Sequence, residues 1–346
     1  MINLKNDYSL GAHPQVLDAL VETNMITTTD GYGLDEYCAQ AAQRIRDLID
    51  CQTADVHFLM GGTQTNLTAI TAFLRPHHSV IAAESGHICV HETGAIEATG
   101  HKVNHVMSVD GRLRPADLRT VVSNHSDEHF VKPRLVYISN TSEMGLIYSK
   151  DELAALRRTC DELGLLLYMD GARLAMALSY PGVDLTFEDL AKYLDAFYIG
   201  GTKCGALFGE ALVIVNDELK EDMRHLIKQR GAMLAKGRLL GIQFDALLKD
   251  DLYLKLGAAA NAQAQKLIDG LKAKHYRFTL PPKTNQIFTL IPKDKIEMLR
   301  ENAVFEGWTG STETHEAIRL VTSWATTDEE IQSSWICCNL SNIIEF

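Results

Sequence analysis

The sequence lacks the hydrophobic runs and the blocks of positive charge that mark membrane proteins and nucleic-acid-binding proteins. No apolar stretch among its 346 residues approaches the length of a membrane-spanning helix, and the first residues, MINLKNDYSLGAHP, have no apolar core suited to a signal peptide. Acidic residues outnumber basic ones, 45 to 33, without any cluster of lysine or arginine. These absences predict a protein that binds neither nucleic acid nor membrane.

Cysteine and metal motifs are also missing. The seven cysteines are odd in number and form no CxxC pair, so we predict reduced thiols and a cytoplasmic location. Three segments place two histidines four residues apart: HICVHE (87–92), HKVNH (101–105) and HSDEH (125–129). Because there is no HExxH motif and no third ligand at a telling spacing, no metal site is predicted. Neither GxGxxG nor GxxxxGK[ST] occurs, which argues against a nucleotide fingerprint.

Apolar runs alternate with helical patterns over the first 215 residues. Continuous apolar runs are typical of strands buried on both faces, so the pattern predicts an α/β fold with a doubly wound, mostly parallel sheet. The pattern is almost entirely helical from Leu219 to Lys274, and the tail has the pattern of a small α+β unit. We predict a large domain over residues 1–250 and a small C-terminal domain over residues 251–346. The predicted strands are Asp55–Met60, Val80–Ala83, Leu135–Ser139, Leu165–Met169, Ala196–Ile199, Ala211–Val215, Gln286–Ile291 and Ala317–Thr322, and the predicted helices include Glu36–Ile49, Thr65–Leu74, Lys150–Leu163 and Asp294–Asn302.

Four predicted strand ends carry chemically active residues, and ligands bind at the carboxyl ends of strands in such sheets. HFLMGGTQTN (57–66) places glycines and a threonine before a helix, where backbone N–H groups suit a phosphate. Asp170 follows an apolar run and needs a cationic partner, either Arg173 or a ring nitrogen. Lys203 follows Gly-Gly and is either a solvated loop charge or an amine nucleophile whose pKa is lowered by apolar shielding. Arg319 interrupts an apolar strand, either as an ion pair or as a carboxylate clamp.

These four elements, in this order, are the set that pyridoxal phosphate requires. A lysine forms the Schiff base with this cofactor, an aspartate keeps its pyridine nitrogen protonated, and a turn holds its phosphate. Each element alone is a weak indication, whereas the ordered set is specific. The set therefore favours the catalytic interpretation of Lys203, and pyridoxal phosphate is the predicted cofactor.

Distinctive segments extend along nearly the whole chain. They are DGYGLDEY (30–37), GGTQTN (61–66), SGHICVHETGA (85–95), SNTSEMGLIYSKDEL (139–153), YMDGARLAMAL (168–178), IGGTKCGALFGEA (199–211), MLAKGRLLG (233–241) and IRLVTSWATT (318–327). With these segments the sequence resembles the pyridoxal-phosphate-dependent threonine aldolase and aromatic amino acid β-eliminating lyase family, most closely its phenylserine aldolase branch. The resemblance implies the transferase-like fold of aspartate aminotransferase type (fold type I), and a homodimer or homotetramer with active sites at the interface.

The resemblance also implies a role for individual residues. Lys203 would be the Schiff-base residue, Asp170 the pyridinium partner, and His87 the histidine that stacks on the cofactor ring, so these three are the predicted catalytic residues. Arg319 would bind the substrate carboxylate. The other implied residues are Gly62, Thr63 and Gln64 at the phosphate, Arg173 beside the cofactor, Lys228 and Lys236 toward the phosphate of a neighbouring subunit, and Asn6 and Glu143 at the substrate.

The implied reaction is the cleavage of an L-3-hydroxy amino acid, of threonine or phenylserine type, to glycine and an aldehyde. Where low-specificity threonine aldolases have Asn-Thr-His-Asn, this chain has Asn140-Thr141-Ser142-Glu143. The base that takes the hydroxyl proton is then His87, Glu143 or a water molecule. One alternative is β-elimination from an amino acid with a leaving group at Cβ, which uses the same cofactor groups. A second alternative is a non-catalytic binding or scaffold protein of doubly wound fold.

Overall fold

Strands and helices alternate along most of the chain in the structure, a computed structural model that describes residues 1–28 and 30–334. The strands are β1 (Ile2–Asn3), β2 (Asp55–Leu59), β3 (His78–Ala83), β4 (Val103–Val106), β5 (Lys132–Ser139), β6 (Leu166–Asp170), β7 (Ala196–Gly200), β8 (Glu210–Ile214), β9 (Arg277–Phe278), β10 (Gln286–Pro292), β11 (Ala303–Val304), β12 (Glu306–Gly307) and β13 (His315–Val321). The helices are α1 (Pro14–Thr23), α2 (Glu36–Leu48), α3 (Gly62–Phe73), α4 (His87–Val90), α5 (Pro115–Ser123), α6 (Lys150–Leu163), α7 (Leu174–Leu178), α8 (Phe187–Tyr193), α9 (Met223–Gln229), α10 (Arg238–Leu248), α11 (Leu252–Ala273), α12 (Lys293–Asn302) and α13 (Asp328–Ser333).

Seven of these strands form the central sheet, in the order β2-β8-β7-β6-β5-β3-β4. Within this sheet β8 runs antiparallel to both neighbours, and the other strands run parallel to one another. Leu135 and Tyr137 of β5 pack into one apolar cluster, and Val136 and Ile138 pack into the cluster on the opposite face. Burial on both faces explains the continuous apolar runs of the sequence. The predicted doubly wound, mostly parallel sheet is confirmed.

Capping residues in the sequence fix several helix ends. The side chain of Asp35 accepts a hydrogen bond from the backbone N–H of Cys38 at 3.0 Å and begins α2. Ser149 and Glu152 form a capping box that begins α6, and Gly164 ends that helix with a left-handed φ of 65°. Because these signals are local, the predicted bounds of both helices lie within one residue of those observed.

The C-terminal part of the chain forms a smaller α+β unit, as predicted. Four strands make an antiparallel sheet in the order β12-β13-β10-β9, and its apolar cluster includes residues of α11 and α12. The same cluster contains Ile2 and Leu4 from the start of the chain, and Ile2 pairs with Ala303 between β1 and β11. A short turn at Lys249–Asp251 separates α10 from α11. The division into residues 1–250 and 251–346 stays a prediction, and residues 335–346 lie outside the described part of the chain.

The three histidine pairs lie on different kinds of structure. His87 begins α4 and His91 follows it, with ring centroids 5.4 Å apart, whereas HKVNH leads into β4 and HSDEH lies between α5 and β5. Within residues 1–28 and 30–334, no three His, Cys, Asp or Glu side chains are grouped so that they could hold a metal ion. No helix in the same ranges is both long and apolar enough to cross a membrane.

Candidate active site

A cavity of about 280 Å³ lies at the carboxyl edge of the central sheet. Strands β2, β5, β6 and β7 end there, and β8 begins there because it runs in the opposite direction. Chain segments that are far apart in sequence therefore meet around one space, as expected for a parallel sheet. The sequence-predicted residues that line this site cavity are Gly62, Thr63, His87, Glu143, Asp170, Arg173 and Lys203.

Lys203 lies in a tight loop whose backbone segments approach each other closely at two glycines. A Cβ on Gly201 would come within 2.7 Å of the carbonyl oxygen of Gly209, and Gly209 itself has a φ of 123°. The Nζ atom of Lys203 lies 5.9 Å from the ring centroid of Tyr8. Burial lowers the pKa of Lys203, and the nearby charge of Arg173 lowers it further. A lysine amine in these surroundings is suited to act as a nucleophile toward a carbonyl.

Asp170 is a buried carboxylate that accepts four hydrogen bonds. Its Oδ2 accepts from the hydroxyl of Tyr137 at 2.7 Å and from the amide of Asn66 at 3.0 Å. Its Oδ1 accepts from the hydroxyl of Tyr198 and from the backbone N–H of Ala172 at 3.0 Å. Burial alone would raise the pKa of Asp170, but nearby His87 and the hydrogen bonds lower it below its ordinary value. The carboxylate is therefore held ionised beside the cavity.

A hydrogen-bonded chain connects Asp170 to His87. The amide of Asn66 donates both to Asp170 and to Oε1 of Glu92, the latter at 2.8 Å. The same Oε1 lies 2.8 Å from Nδ1 of His87. The side chain of Glu92 is fully buried, so its carboxylate fixes the orientation of the His87 ring through Nδ1.

Helix α3 presents its N-terminus to the site cavity. It begins at Gly62, and its N-cap residue, Gly61, has no side chain to satisfy the first backbone N–H groups. Gly61, Gly62 and Thr63 all line the cavity. Exposed N–H groups and the positive end of the helix dipole favour an anion such as phosphate at this position.

Arg173 pairs with Asp7 and not with Asp170. Its Nε and Nη2 atoms donate to the two carboxylate oxygens of Asp7 at 2.7 and 3.0 Å, and Asn285 donates to Asp7 at 2.9 Å. Of the two partners that the sequence left open for Asp170, Arg173 is therefore excluded. Asp170 keeps its charge through neutral donors, which leaves it free to face a cationic ligand.

Arg319 lies on β13 but does not line the site cavity. Its guanidinium forms an ion pair with Glu306 and packs 5.1 Å from the ring centroid of Trp308. Its Nε is buried and has no hydrogen-bond partner among the described residues. Glu306 and Trp308 line a neighbouring apolar cavity of about 700 Å³ that shares Glu143 with the site cavity.

Glu143 is the residue that borders both cavities. Its Oε1 accepts from the backbone N–H of His87 at 2.9 Å and from the hydroxyl of Ser139 at 2.7 Å. Burial raises the pKa of Glu143, with the hydrogen bond from Ser139 acting against it and the charge of Asp170 adding to it. A carboxyl whose pKa is raised in this way can accept or donate a proton closer to neutral pH.

Besides Arg319, four predicted site residues do not line the site cavity within this chain. Gln64 turns its Oε1 toward the backbone N–H of Met60, and Asn6 accepts from the backbone of Tyr8 and the hydroxyl of Ser9. Lys228 and Lys236 are exposed, and Nζ of Lys228 lies 4.5 Å from the ring centroid of Tyr32. The expectation for both lysines concerns a neighbouring subunit and stays a prediction.

Several site residues were missed by reasoning from the sequence. The most prominent is Glu210, a buried carboxyl at the start of β8 that lines the site cavity. Asn66 had a usable signal, because it lies one helical turn after the glycines of GGTQTN. The local sequence around Asp7 and Tyr198 gave no such signal, because their contacts join segments that are far apart in the sequence.

Comparison with known proteins gives consistent matches over most of the chain. A family model described as beta-eliminating lyase matches residues 10–293. A low specificity L-threonine aldolase of Pseudomonas aeruginosa is 33% identical over 331 residues, 94% of each chain, and one of another Pseudomonas strain is 35% identical over 87% of each. A solved structure of a Leishmania major threonine aldolase has a TM-score of 0.94 at 49% identity, covering 96% of both chains.

A more distant structural match concerns the fold alone. The aspartate aminotransferase of Thermus thermophilus superposes with a TM-score of 0.73 at 16% identity, covering 96% of this chain and 90% of that one. The fold predicted from the resemblance, the aspartate aminotransferase type, is thereby confirmed.

Proposed function

The chain belongs to the beta-eliminating lyase family of pyridoxal-phosphate enzymes, and we propose that it cleaves an L-3-hydroxy amino acid to glycine and an aldehyde. The predicted family, the predicted cofactor and the prediction of an enzyme are confirmed, which removes the non-catalytic alternative. The observation that carries the proposed reaction is the similarity to threonine aldolases over nearly the whole chain, at up to 49% identity among the relatives compared.

The residues of the site cavity fit pyridoxal phosphate. The uncapped start of α3 offers backbone N–H groups for the phosphate, and Arg173 lines the same cavity. Asp170 offers an ionised carboxylate for the pyridine nitrogen, and Lys203 offers an amine for the aldehyde. The buried hydroxyl of Thr141 lines the cavity and has no partner among the described residues, as expected for a group that meets a ligand.

Asp170 and Lys203 have different roles toward the cofactor. When bound, pyridoxal phosphate supplies an electron-withdrawing ring that takes up the electron pair released when a bond at Cα breaks. The negative charge of Asp170 would stabilise a positive charge on that ring. Lys203 would hold the cofactor through its amine, and its lowered pKa would favour the uncharged form of that amine.

Two residues that line the cavity, His87 and Glu143, are the candidate bases for the substrate hydroxyl. His87 is oriented by the buried Glu92, and burial raises the pKa of Glu143, so either side chain could take the hydroxyl proton directly or through a water molecule. Arg319 remains the proposed carboxylate clamp, and it would exchange its present partner, Glu306, for the substrate. Glu306 accepts from Nη2 of Arg319, whereas Nε has no partner among the described residues, so a substrate carboxylate could accept two parallel hydrogen bonds from the guanidinium.

Product identification tests the proposal. The purified holoenzyme is given threonine, phenylserine and an amino acid with a leaving group at Cβ. Glycine plus an aldehyde from the hydroxy amino acids supports aldol cleavage. Pyruvate plus ammonia from the third substrate, with no glycine from the others, supports the β-elimination implied by the name of the family model. The phenylserine branch stays a prediction that the same panel resolves.

Lys203→Ala is the matched control for that panel. It should abolish turnover and the covalent attachment of the cofactor, because no other cavity-lining residue carries a lysine amine among those described. Peptide mapping after borohydride reduction identifies the labelled residue, and a label on another lysine would contradict the assignment. Lys220→Ala, which removes a lysine that pairs with Asp217 and does not line the cavity, should leave both properties intact.

The oligomeric state and the location also remain part of the proposal. Exposed apolar side chains at Leu17, Val21, Leu207 and Leu239 line a groove together with Phe208, and Phe208 also lines the site cavity. This continuity supports an interface beside the site, in a homodimer or homotetramer, and light scattering of the purified protein measures it. The proposed cytoplasmic location rests on the five cysteines within the described ranges, all of which are free thiols.

A further inference from the structure

Glu210 is a buried carboxyl in the site cavity that has no part in the reaction described above. It is 4% exposed, and the remainder of its strand, Ala211–Ile214, is entirely apolar. Its Oε2 accepts from the backbone N–H of Gly201 at 3.0 Å, and its Oε1 accepts from the hydroxyl of Thr202 at 2.8 Å. A buried carboxyl is costly unless it is well partnered, so its place here requires a physical reason.

Both hydrogen-bond donors directly precede Lys203. The carboxyl of Glu210 is thereby fixed to the loop that presents the lysine, and both side chains line the same cavity. The negative charge of Glu210 acts to raise the pKa of Lys203, against burial and Arg173, which lower it. In the reverse direction, burial raises the pKa of Glu210 to about 8, with Thr202 and the charge of Lys203 acting against it.

Other titratable groups also face Glu210. Arg173 and Asp7 act on Lys203 at the same time, so the pair does not titrate in isolation. The charges of Lys203 and Asp170 shift the pKa of Glu210. The charge of Glu210 in turn shifts the pKa of four further groups: Cys204, Tyr168, Tyr198 and Tyr253. Burial raises the pKa of the tyrosines and of Cys204, so these groups stay neutral while Glu210 and Lys203 titrate.

We propose that Glu210 is a positioning residue that sets the charge state and the orientation of the Lys203 nitrogen. Ionised Glu210 stabilises a positive charge on that nitrogen, whereas protonated Glu210 does not. The inference rests on the proposed role of Lys203 as the lysine that holds the cofactor, and it is independent of which substrate bond is cleaved. Glu210 acts through the lysine and its loop, without contact to the reacting bond.

The test is a pH titration of the visible absorbance of the bound cofactor in the holoenzyme, without substrate. Glu210→Gln removes the charge but keeps the shape of the side chain, so the midpoint should move down by about one pH unit. Glu316→Gln is the control, since it neutralises a carboxylate on β13 that accepts from Arg300 at 2.9 Å. Its midpoint should match that of the unaltered protein. An unchanged midpoint in Glu210→Gln, with the cofactor bound, overturns the proposal.

A second variant decides the matter if Glu210→Gln does not fold. Thr202→Val removes one donor from the carboxylate, which makes ionised Glu210 less favourable, so the midpoint should move in the same direction by a smaller amount. A purely structural role for Glu210 predicts a lower melting temperature in either variant and no movement of the midpoint. Borohydride labelling separates the failures: a label away from Lys203 defeats the proposed site, whereas a label on Lys203 with an unmoved midpoint defeats only the role of Glu210.

Discussion

Among single residues, Asp170 is the most tightly constrained charge in the site. Its four hydrogen bonds come from two tyrosine hydroxyls, an amide and a backbone N–H, none of which carries a charge. Neutral donors stabilise the carboxylate without cancelling its charge, so it can still attract a cation in the cavity. An arginine partner would have removed that capacity, and the pairing of Arg173 with Asp7 avoids it.

Asp170→Asn should therefore lower kcat by about 100-fold or more, in the range seen when a preorganised charge is removed from an active site. The cofactor should still bind, because the lysine and the phosphate site are untouched. Steady-state kinetics with the hydroxy amino acid measures the loss. Asp189→Asn is the matched control, since it neutralises a buried carboxylate that pairs with Lys150 far from the cavity. Near-normal turnover in Asp170→Asn would show that the charge is not used.

Arg319 gives a second prediction, in which the control sharpens the result. Arg319→Lys should raise KM strongly and leave the resting absorbance of the bound cofactor unchanged, because lysine cannot form the two parallel hydrogen bonds of a guanidinium. Glu306→Gln frees Arg319 from its present partner and should leave KM equal or lower. If both variants lose thermal stability and neither changes KM, Arg319 serves only to hold β12 against β13.

The residues found from the sequence and those missed differ in how their contacts are made. Asp170 ends β6 and Lys203 lies three residues after the end of β7, and a parallel sheet brings such positions to one edge. Asn66 contacts Asp170 across 104 residues, and Arg173 contacts Asp7 across 166. Such contacts depend on how helices and strands pack in three dimensions. The glycine turn in GGTQTN indicates the position of Asn66, whereas no local pattern indicates the contact between Arg173 and Asp7.

Helix α3 is the structural element that joins the phosphate position to Asp170. A Cβ on Gly62 would lie 3.1 Å from the hydroxyl of Tyr198, which donates to Asp170, whereas a Cβ on Gly61 would meet nothing within 4 Å. Gly62→Ala should therefore weaken cofactor binding more than Gly61→Ala, and a titration of the apoprotein with pyridoxal phosphate measures both. Equal affinities would show that the approach of Gly62 to Tyr198 is not required.

The elements themselves were largely predictable. The long apolar runs correspond to β3, β5, β6, β7 and β8 with small shifts at their ends, because a strand buried on both faces needs an uninterrupted apolar sequence. The edge strand β2, DVHFL, was also predicted although it contains two polar residues. The edge strand β4 was missed: Val103–Val106 alternates apolar and polar residues inside the histidine-rich segment HKVNH. β4 has one neighbour and partial burial, as β2 has, so its sequence carries a weaker pattern than those of the inner strands.

In the whole molecule, the start of the chain joins the large sheet to the smaller unit. Ile2 and Leu4 pack in the C-terminal apolar cluster, while Asp7, a few residues later, binds Arg173 beside the central sheet and Asn285 beside β10. Tyr8, in the same N-terminal segment, lines the site cavity. One side of the cavity is therefore bounded by a segment whose position depends on contacts with both the large sheet and the smaller unit. Sequence reasoning assigned Asn6 to the substrate, whereas the structure gives its neighbour Asp7 the buried contacts.

Asp7 consequently links stability to pH. Burial alone would raise its pKa, but Arg173 and Lys203 outweigh burial and hold the pKa below the ordinary value of 3.8. A carboxylate with a lowered folded-state pKa stabilises the protein above about pH 4, and this contribution is lost as the pH falls through the folded-state pKa. The melting temperature of the unaltered protein should then fall on acidification below about pH 4.

Asp7→Asn should lower stability at neutral pH by about 3–5 kcal/mol, because it leaves the guanidinium of Arg173 buried without a counter-charge. The same variant should lose less additional stability between neutral and acidic pH, since the titrating group is gone. Melting curves across this range measure both effects. Asp245→Asn, which breaks a partly exposed pair with Arg44, should cost at most about 1 kcal/mol and keep the acid dependence. If the two variants behaved alike, the N-terminal segment would be attached through its apolar residues alone, and the charge of Asp7 would have no part in closing the site.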